Sequence, residues 1–167
     1  MASASLAAQA QSTVPDGGYD THWKFGVQLG TVHDNAKTEP SVQLTFGYEF
    51  NPTWSVEALA NVNALFVRDG NSVDDRSTYE FNSAVGARVL ATLPLGDRWS
   101  LVGGLGVVQV NEELGLALHG YDRYKTDALV SAALMYRMNR HFGLGVEAST
   151  FAQSHTLNLG VRGEVHF

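Results

Sequence analysis

The sequence contains no cysteine, which rules out disulfide staples and thiolate chemistry together. Charge is also scarce. Asp, Glu, Lys and Arg make up 17% of the 167 residues, against about 25% in an ordinary soluble domain, a thin ionic coat for a chain folded in water. Cations are the rarer sign, 3 Lys and 8 Arg against 17 acidic residues for a net charge of -6. That balance suggests no basic surface for nucleic acid or for an anionic bilayer. Long apolar runs are missing too: none approaches the ~18 residues of a membrane-spanning helix, so a helical span is excluded. The glycine cluster GGLG at 103–106 lacks a following Gly-Lys-Ser/Thr, so it reads as close-packed strand and not as a phosphate cradle. What the chain does have is 44% hydrophobic residues and length enough for one domain with a real core.

Residues 1–21 are small and polar at their start and include Ala8-Gln9-Ala10, the A-x-A form of a signal-peptidase site. A basic start and an apolar stretch of about 7–15 residues, both needed for a secretory signal, are absent from it. This segment reads as a leader remnant or a flexible N-terminal tail, with the folded domain at 22–167.

Three stretches repeat one design: FNPTWSVEA at 50–58, LGDRWSLVG at 95–103 and MNRHFGLGVE at 138–147. Each places an aromatic residue after a tight turn and then alternates apolar positions. The spacing fits a repeating unit of two strands and a longer loop. Eight alternating segments follow, near 22–32, 41–50, 54–67, 78–93, 99–110, 126–138, 142–152 and 155–167. The connections at 51–53, 94–98 and 139–141 are short; those at 33–40, 68–77 and 111–125 are longer, and 153–154 is tight. This predicts an all-β fold, an eight-stranded antiparallel up-and-down transmembrane β-barrel with an apolar exterior and a polar, charged interior.

One parity of each segment is apolar, as in Val42, Leu44, Phe46, Tyr48 and Phe50, or Trp54, Val56, Ala58, Ala60 and Val62. A soluble ligand-binding barrel would turn that parity inward and a membrane barrel outward. The other parity decides, because it mixes glycines with long charged side chains. A solvated sheet face gains nothing from glycine, whereas a narrow eight-stranded lumen needs it beside an Arg or a Glu. Glu57, Glu80, Arg88, Asp127, Arg137, Glu147, Arg162 and Glu164 are therefore expected to point inward and to form a charge network, since an unpaired ion in a confined interior is costly. Trp23, Phe50, Trp54, Trp99, Phe142 and Phe167 fall at the short-turn end, where aromatic rings suit a membrane interface. The segment WSLVGGLGVVQV is apolar or glycine on both parities, and its facing stays open.

With GYEFNPTWSVE, the repeated turn-plus-aromatic pattern and a last strand ending in Phe167 on the page, the chain resembles the small outer-membrane β-barrels of the OmpA and OmpX type over roughly 22–167. The resemblance implies a bacterial outer-membrane location and outer-membrane lipids, including lipopolysaccharide, as surroundings. It also implies recognition of the C-terminal strand by the barrel assembly machinery, with Val165 and Phe167 in that signal's alternating apolar positions. The glycine usual five places from the end is Arg162 here. OmpA proper adds a peptidoglycan-binding domain, so the likeness concerns the barrel domain only.

Three functions remain in view. The first is a structural or surface-interaction, adhesion-like role, with a surface ligand at loops 33–40, 68–77 and 111–125. Leu114, Leu116 and Leu118 alternate in the third loop and would offer a partner a free strand edge or else fold back over the barrel mouth. The second is a narrow pore or hydrophobic-ligand conduit. The third is a lipid A-modifying enzyme, for which the nearest acyl-transfer candidates are Ser154 and His155 with Glu147. Neighbouring strand residues face opposite ways, which sets those two poorly, and no catalytic residue is expected. His33, His119 and His155 lie toward the long loops and His22, His141 and His166 toward the short turns; no metal site or cofactor is expected from them.

Overall fold

The computed structural model describes residues 22–34, 37–63, 79–114, 122–153 and 156–167. Among these residues the period-two alternation resolves into strands β1 (Trp23–Asp34), β2 (Lys37–Glu49), β3 (Trp54–Asn63), β4 (Tyr79–Pro94), β5 (Trp99–Leu114), β6 (Asp122–Arg137), β7 (Phe142–Phe151) and β8 (Thr156–His166). Each pairs antiparallel with the next, and β8 pairs back onto β1 to close an eight-stranded barrel. Trp23 and Phe167 seal the seam by exchanging backbone hydrogen bonds of 3.1 and 2.9 Å. Over the span that all eight strands share, closure leaves no sheet edge, which is what hydrocarbon demands of a spanning sheet.

The repeated turns have a common cause. The Asn51 side-chain oxygen accepts the backbone N–H groups of Thr53 and Trp54, both at 2.9 Å. Asn139 repeats the arrangement with His141 at 2.8 Å and Phe142 at 3.0 Å. An Asn three residues before the aromatic thus fixes both turns by the same local bond. In the β4–β5 turn the equivalent position is Gly96, whose φ of 156° suits a residue without Cβ.

The opposite end differs from the sequence-based expectation. Most of 33–40 is strand, with Asp34 opposite Lys37, so only residues 35 and 36 join β1 to β2. β5 extends to Leu114 and β6 starts at Asp122, with Glu113 opposite Asp122, while Tyr79 stands opposite Leu114 on the other flank. Both flanks of β5 are thus occupied near its tip, so of the two alternatives for the third loop the free edge is not present among the described residues. Alternating leucines mark a strand without saying whether its edges are already paired. Leu116, Leu118 and the 68–77 connection lie outside the described residues.

Facing is settled by exposure. Leu29, Leu105 and Leu159 are 61%, 67% and 55% exposed, whereas Glu57, Arg88 and Asn61 are 1%, 2% and 0% exposed. Outward apolar side chains and inward polar ones are the arrangement of a barrel solvated by lipid. β5 is no longer ambiguous: Trp99, Leu101, Gly103, Leu105 and Val107 face out, and Gly104, Val108 and Val110 face in. Those inward valines join Val32, Leu59, Ala84, Leu129 and Phe151 in a buried cluster. The interior is therefore not polar throughout. An apolar tier fills it toward the long-loop end, where Val32, Val110 and Phe151 stand near the ends of their strands.

Candidate functional site

Below that tier, four strands from different parts of the barrel aim long charged side chains at one point in the lumen. Glu57 on β3 and Glu147 on β7 are each bridged by both Arg88 on β4 and Arg162 on β8. Arg88 Nε and Nη2 donate to Glu57 Oε2 at 3.0 and 2.8 Å. Its Nη1 and Nη2 donate to the two oxygens of Glu147, the latter at 3.1 Å. Arg162 completes the ring, donating to Glu57 Oε1 at 2.5 Å and to Glu147 Oε2 at 2.7 Å. Signs alternate around the ring, so each guanidinium is held by two carboxylates in the planar geometry that suits it. All four side chains are at most 4% exposed, and at that burial a lone charge would be prohibitive.

The ring extends toward the short-turn mouth. Lys24 Nζ lies 2.9 Å from Glu57 Oε1 and donates to Ser55 Oγ at 2.9 Å. Arg162 Nη2 is 3.3 Å from Glu164 Oε2. His166 touches Glu164 at 3.1 Å and Glu49 at 3.6 Å. Between these groups and Thr92 and Ser100 lies a cavity of about 30 Å³, room for a water molecule or two. On the other side Gln43 Nε2 donates to Glu147 Oε1 at 3.4 Å and to Gln28 Oε1 at 3.2 Å. Gly47 makes this crowding feasible: a Cβ there would stand 2.7 Å from Glu57 Cγ and 3.0 Å from Lys24 Cε, closer than packed carbons tolerate.

The residues expected from the sequence divide as follows. Glu57, Arg88, Glu147, Arg162 and Glu164 are brought together. Asp127 is buried but separate: its carboxylate accepts the Gln153 backbone N–H at 2.9 and 3.1 Å, fastening the start of the β7–β8 connection. Arg137 is exposed; as the last residue of β6 it lines the mouth cavity together with Arg162 and Glu164. The side chain of Glu80 lies outside the described residues. Lys24, Gln28, Gln43, Ser55 and His166 were absent from the expected network; all share the inward parity, which was the available signal.

Trp23, Phe50, Trp54, Trp99, Phe142 and Phe167 are all exposed at one rim. Trp23 stacks on Phe46 with ring centroids 5.1 Å apart and meets Tyr48 at 4.9 Å; Trp99 lies 5.0 Å from Tyr136. Ser154 and His155 lie outside the described residues, while Glu147, named with them, is committed to two arginines. Among the described residues no three His, Asp or Glu side chains gather as a metal site.

A closed eight-stranded sheet with lipid-compatible walls and an ionic plug is an architecture that comparison with known proteins identifies. The family described as outer membrane protein beta-barrel domain matches residues 1–162. The chain belongs to that family. It is accordingly a protein of the bacterial outer membrane. Solved structures agree on the fold of this outer-membrane barrel. Ail, the attachment invasion locus protein of Yersinia pestis, has 14% identity, covers 87% of this chain and 96% of its own, and superposes with a TM-score of 0.58. The N-terminal barrel of Pseudomonas aeruginosa OprF has 10% identity over 86% and 97%, with a TM-score of 0.63. Neisserial surface protein A has 12% identity over 87% and 96%, with a TM-score of 0.54. Among curated proteins, none matches the sequence significantly.

Proposed function

We propose that this outer-membrane barrel is a structural and surface-interaction protein of adhesion-like type, in which the closed sheet is the anchor and the β5–β6 hairpin is the presented element. The observation that carries this is strand length. β4, β5 and β6 have 16 residues each, whereas about 9–11 tilted residues cross the hydrocarbon. On β5 the outward apolar series stops at Val107 and Gln109 follows; on β6 the aliphatic series stops at Ala128, followed by Thr126 and an exposed Tyr124, a ring suited to the membrane interface. Beyond them Asn111–Leu114 and Asp122–Lys125 carry Glu112, Glu113, Asp122, Arg123 and Lys125, so the hairpin projects from the lipid by roughly four residues, or about 14 Å. The relative Ail is an attachment protein by its name, which supports the reading. Outward Val165 and Phe167 at the end of β8 suit recognition by the assembly machinery, and lipopolysaccharide is the expected neighbour in the outer leaflet. Adhesion of barrel-bearing liposomes to epithelial monolayers tests the proposal. Replacing residues 111–125 by a two-residue turn should cut adhesion several-fold with thermal stability retained; unchanged adhesion would refute it.

The mouth cavity invites a second reading as a narrow pore. The ring and the apolar tier stand in series across the lumen, and eight strands close too tightly for an open channel. In planar bilayers the protein should therefore show no steady single-channel steps. Steps whose size changed in Arg88→Ala would establish the pore instead.

A further inference from the structure

Two glycines on the lipid face, Gly103 and Gly163, have no packing reason to be small, and the first of them sits in a row of small residues. Gly103 points outward in β5, and a Cβ added there would meet nothing within 4 Å, although glycine weakens a strand. Its neighbours in register repeat the feature: Ala91, Gly103, Ala132 and Ala148 stand side by side on β4 to β7. Larger side chains flank the row, and an apolar hollow of about 170 Å³ opens there, lined by Leu101, Ala132, Leu134, Val146, Ala148 and Leu159.

The short-turn rim beneath this hollow is basic. Arg98, in the β4–β5 turn, donates to the Tyr136 hydroxyl at 3.0 Å, which holds the guanidinium at the girdle beside Trp99. Arg140, in the β6–β7 turn, donates to His141 at 2.9 Å. Both arginines are exposed, as is Arg137. Asp97 is the single acid of these turns, and the third short turn, Phe50–Thr53, is uncharged. Among the three short turns, cations are thus found only at the foot of β4 to β7, a local patch that the net charge of -6 conceals.

The row also gives direction. It starts at interfacial Trp54, opposite Ala91, and continues through Leu159 to Thr31 and Pro40 at the far end, so it climbs from β3 round to β2. With strands tilted by about 35–45°, a path along the membrane normal from Arg98 crosses from β5 over β6 to β7, which leads across the hollow. We infer that this face is a binding site for one anionic diacyl phospholipid of the leaflet at the short-turn side. Its phosphate lies between Arg98 and Arg140, and one acyl chain passes beside Gly103, opposite Ala132, into the hollow over Ala132 and Ala148. The charge complementarity at the foot and the apolar channel above it select a lipid with both features.

The test is competition between phosphatidylglycerol and phosphatidylethanolamine for the folded barrel, read as retained lipid by native mass spectrometry and as the immobilised fraction of chain-labelled lipid by electron spin resonance. Wild-type protein is expected to prefer phosphatidylglycerol. Arg98→Gln with Arg140→Gln should reduce that preference by roughly thirtyfold, about fivefold for each charge lost near the surface. Gly103→Leu has room for its side chain and leaves the barrel folded; it should keep the headgroup preference while losing the immobilised chain signal. Equal retention of the two lipids by wild type, or an unchanged preference in the double arginine variant, overturns the site. An immobilised fraction unaltered by Gly103→Leu overturns its acyl half.

Discussion

Arg162→Ala is expected to lower the unfolding free energy by about 3–5 kcal/mol, the cost of breaking a buried ion pair from one side. The guanidinium touches Glu57, Glu147 and Glu164, and without it these carboxylates share Arg88, Lys24 and His166 in a space that water scarcely enters. Urea titration in lipid vesicles, followed by tryptophan fluorescence, measures the loss. Adding Glu147→Gln to Arg162→Ala removes one of the stranded charges, so the double variant should lose clearly less than the sum of its single variants. A loss below about 1 kcal/mol would place Arg162 in the range of solvent-screened surface pairs and contradict the ring as the brace of the lumen.

The second large effect is on the outside. Leu105, 67% exposed, stands midway along the outward apolar series of β5. Arg in its place should cost about 2–4 kcal/mol, as charges do at the bilayer midplane, and the same change at Gln109 about 0–1 kcal/mol. The same vesicle titration applied to Leu105→Arg and Gln109→Arg resolves the two. Equal costs at both positions would mean that β5 does not leave the hydrocarbon near Gln109, and the projecting hairpin would fail with it.

How far the sequence showed this can be traced through particular residues. Strand parity was legible because lipid and lumen impose opposite chemistries on alternate positions, so Phe46 and Glu57 declare their sides unaided. The Glu147–Arg162 contact was within reach as well, since a tight β7–β8 connection fixes register and sets Gly145 opposite Arg162. The bridge from Glu57 to Arg162 was not. It crosses the lumen between residues 105 apart in sequence, and no local rule measures the width of a closed sheet. β5 was unreadable by alternation because its inner positions are Val108 and Val110, apolar like its outer ones. Trp99 held the clue: an interfacial aromatic must face out, which fixes every second residue after it. The apolar tier remained hidden because each of its members sits on a different strand, and only closure assembles them.

The seam between β1 and β8 has a consequence for biogenesis. Its pairing, such as Phe25 with Val165, joins segments from opposite ends of the domain, so the sheet stays open until the last strand has been delivered. An incomplete barrel would show hydrocarbon two rows of bare amides and carbonyls, each a heavy penalty, and so has no stable halfway state in the bilayer. A chain lacking β8 is therefore expected to form no stable barrel in the bilayer, since both seam strands would keep their backbone groups unpaired.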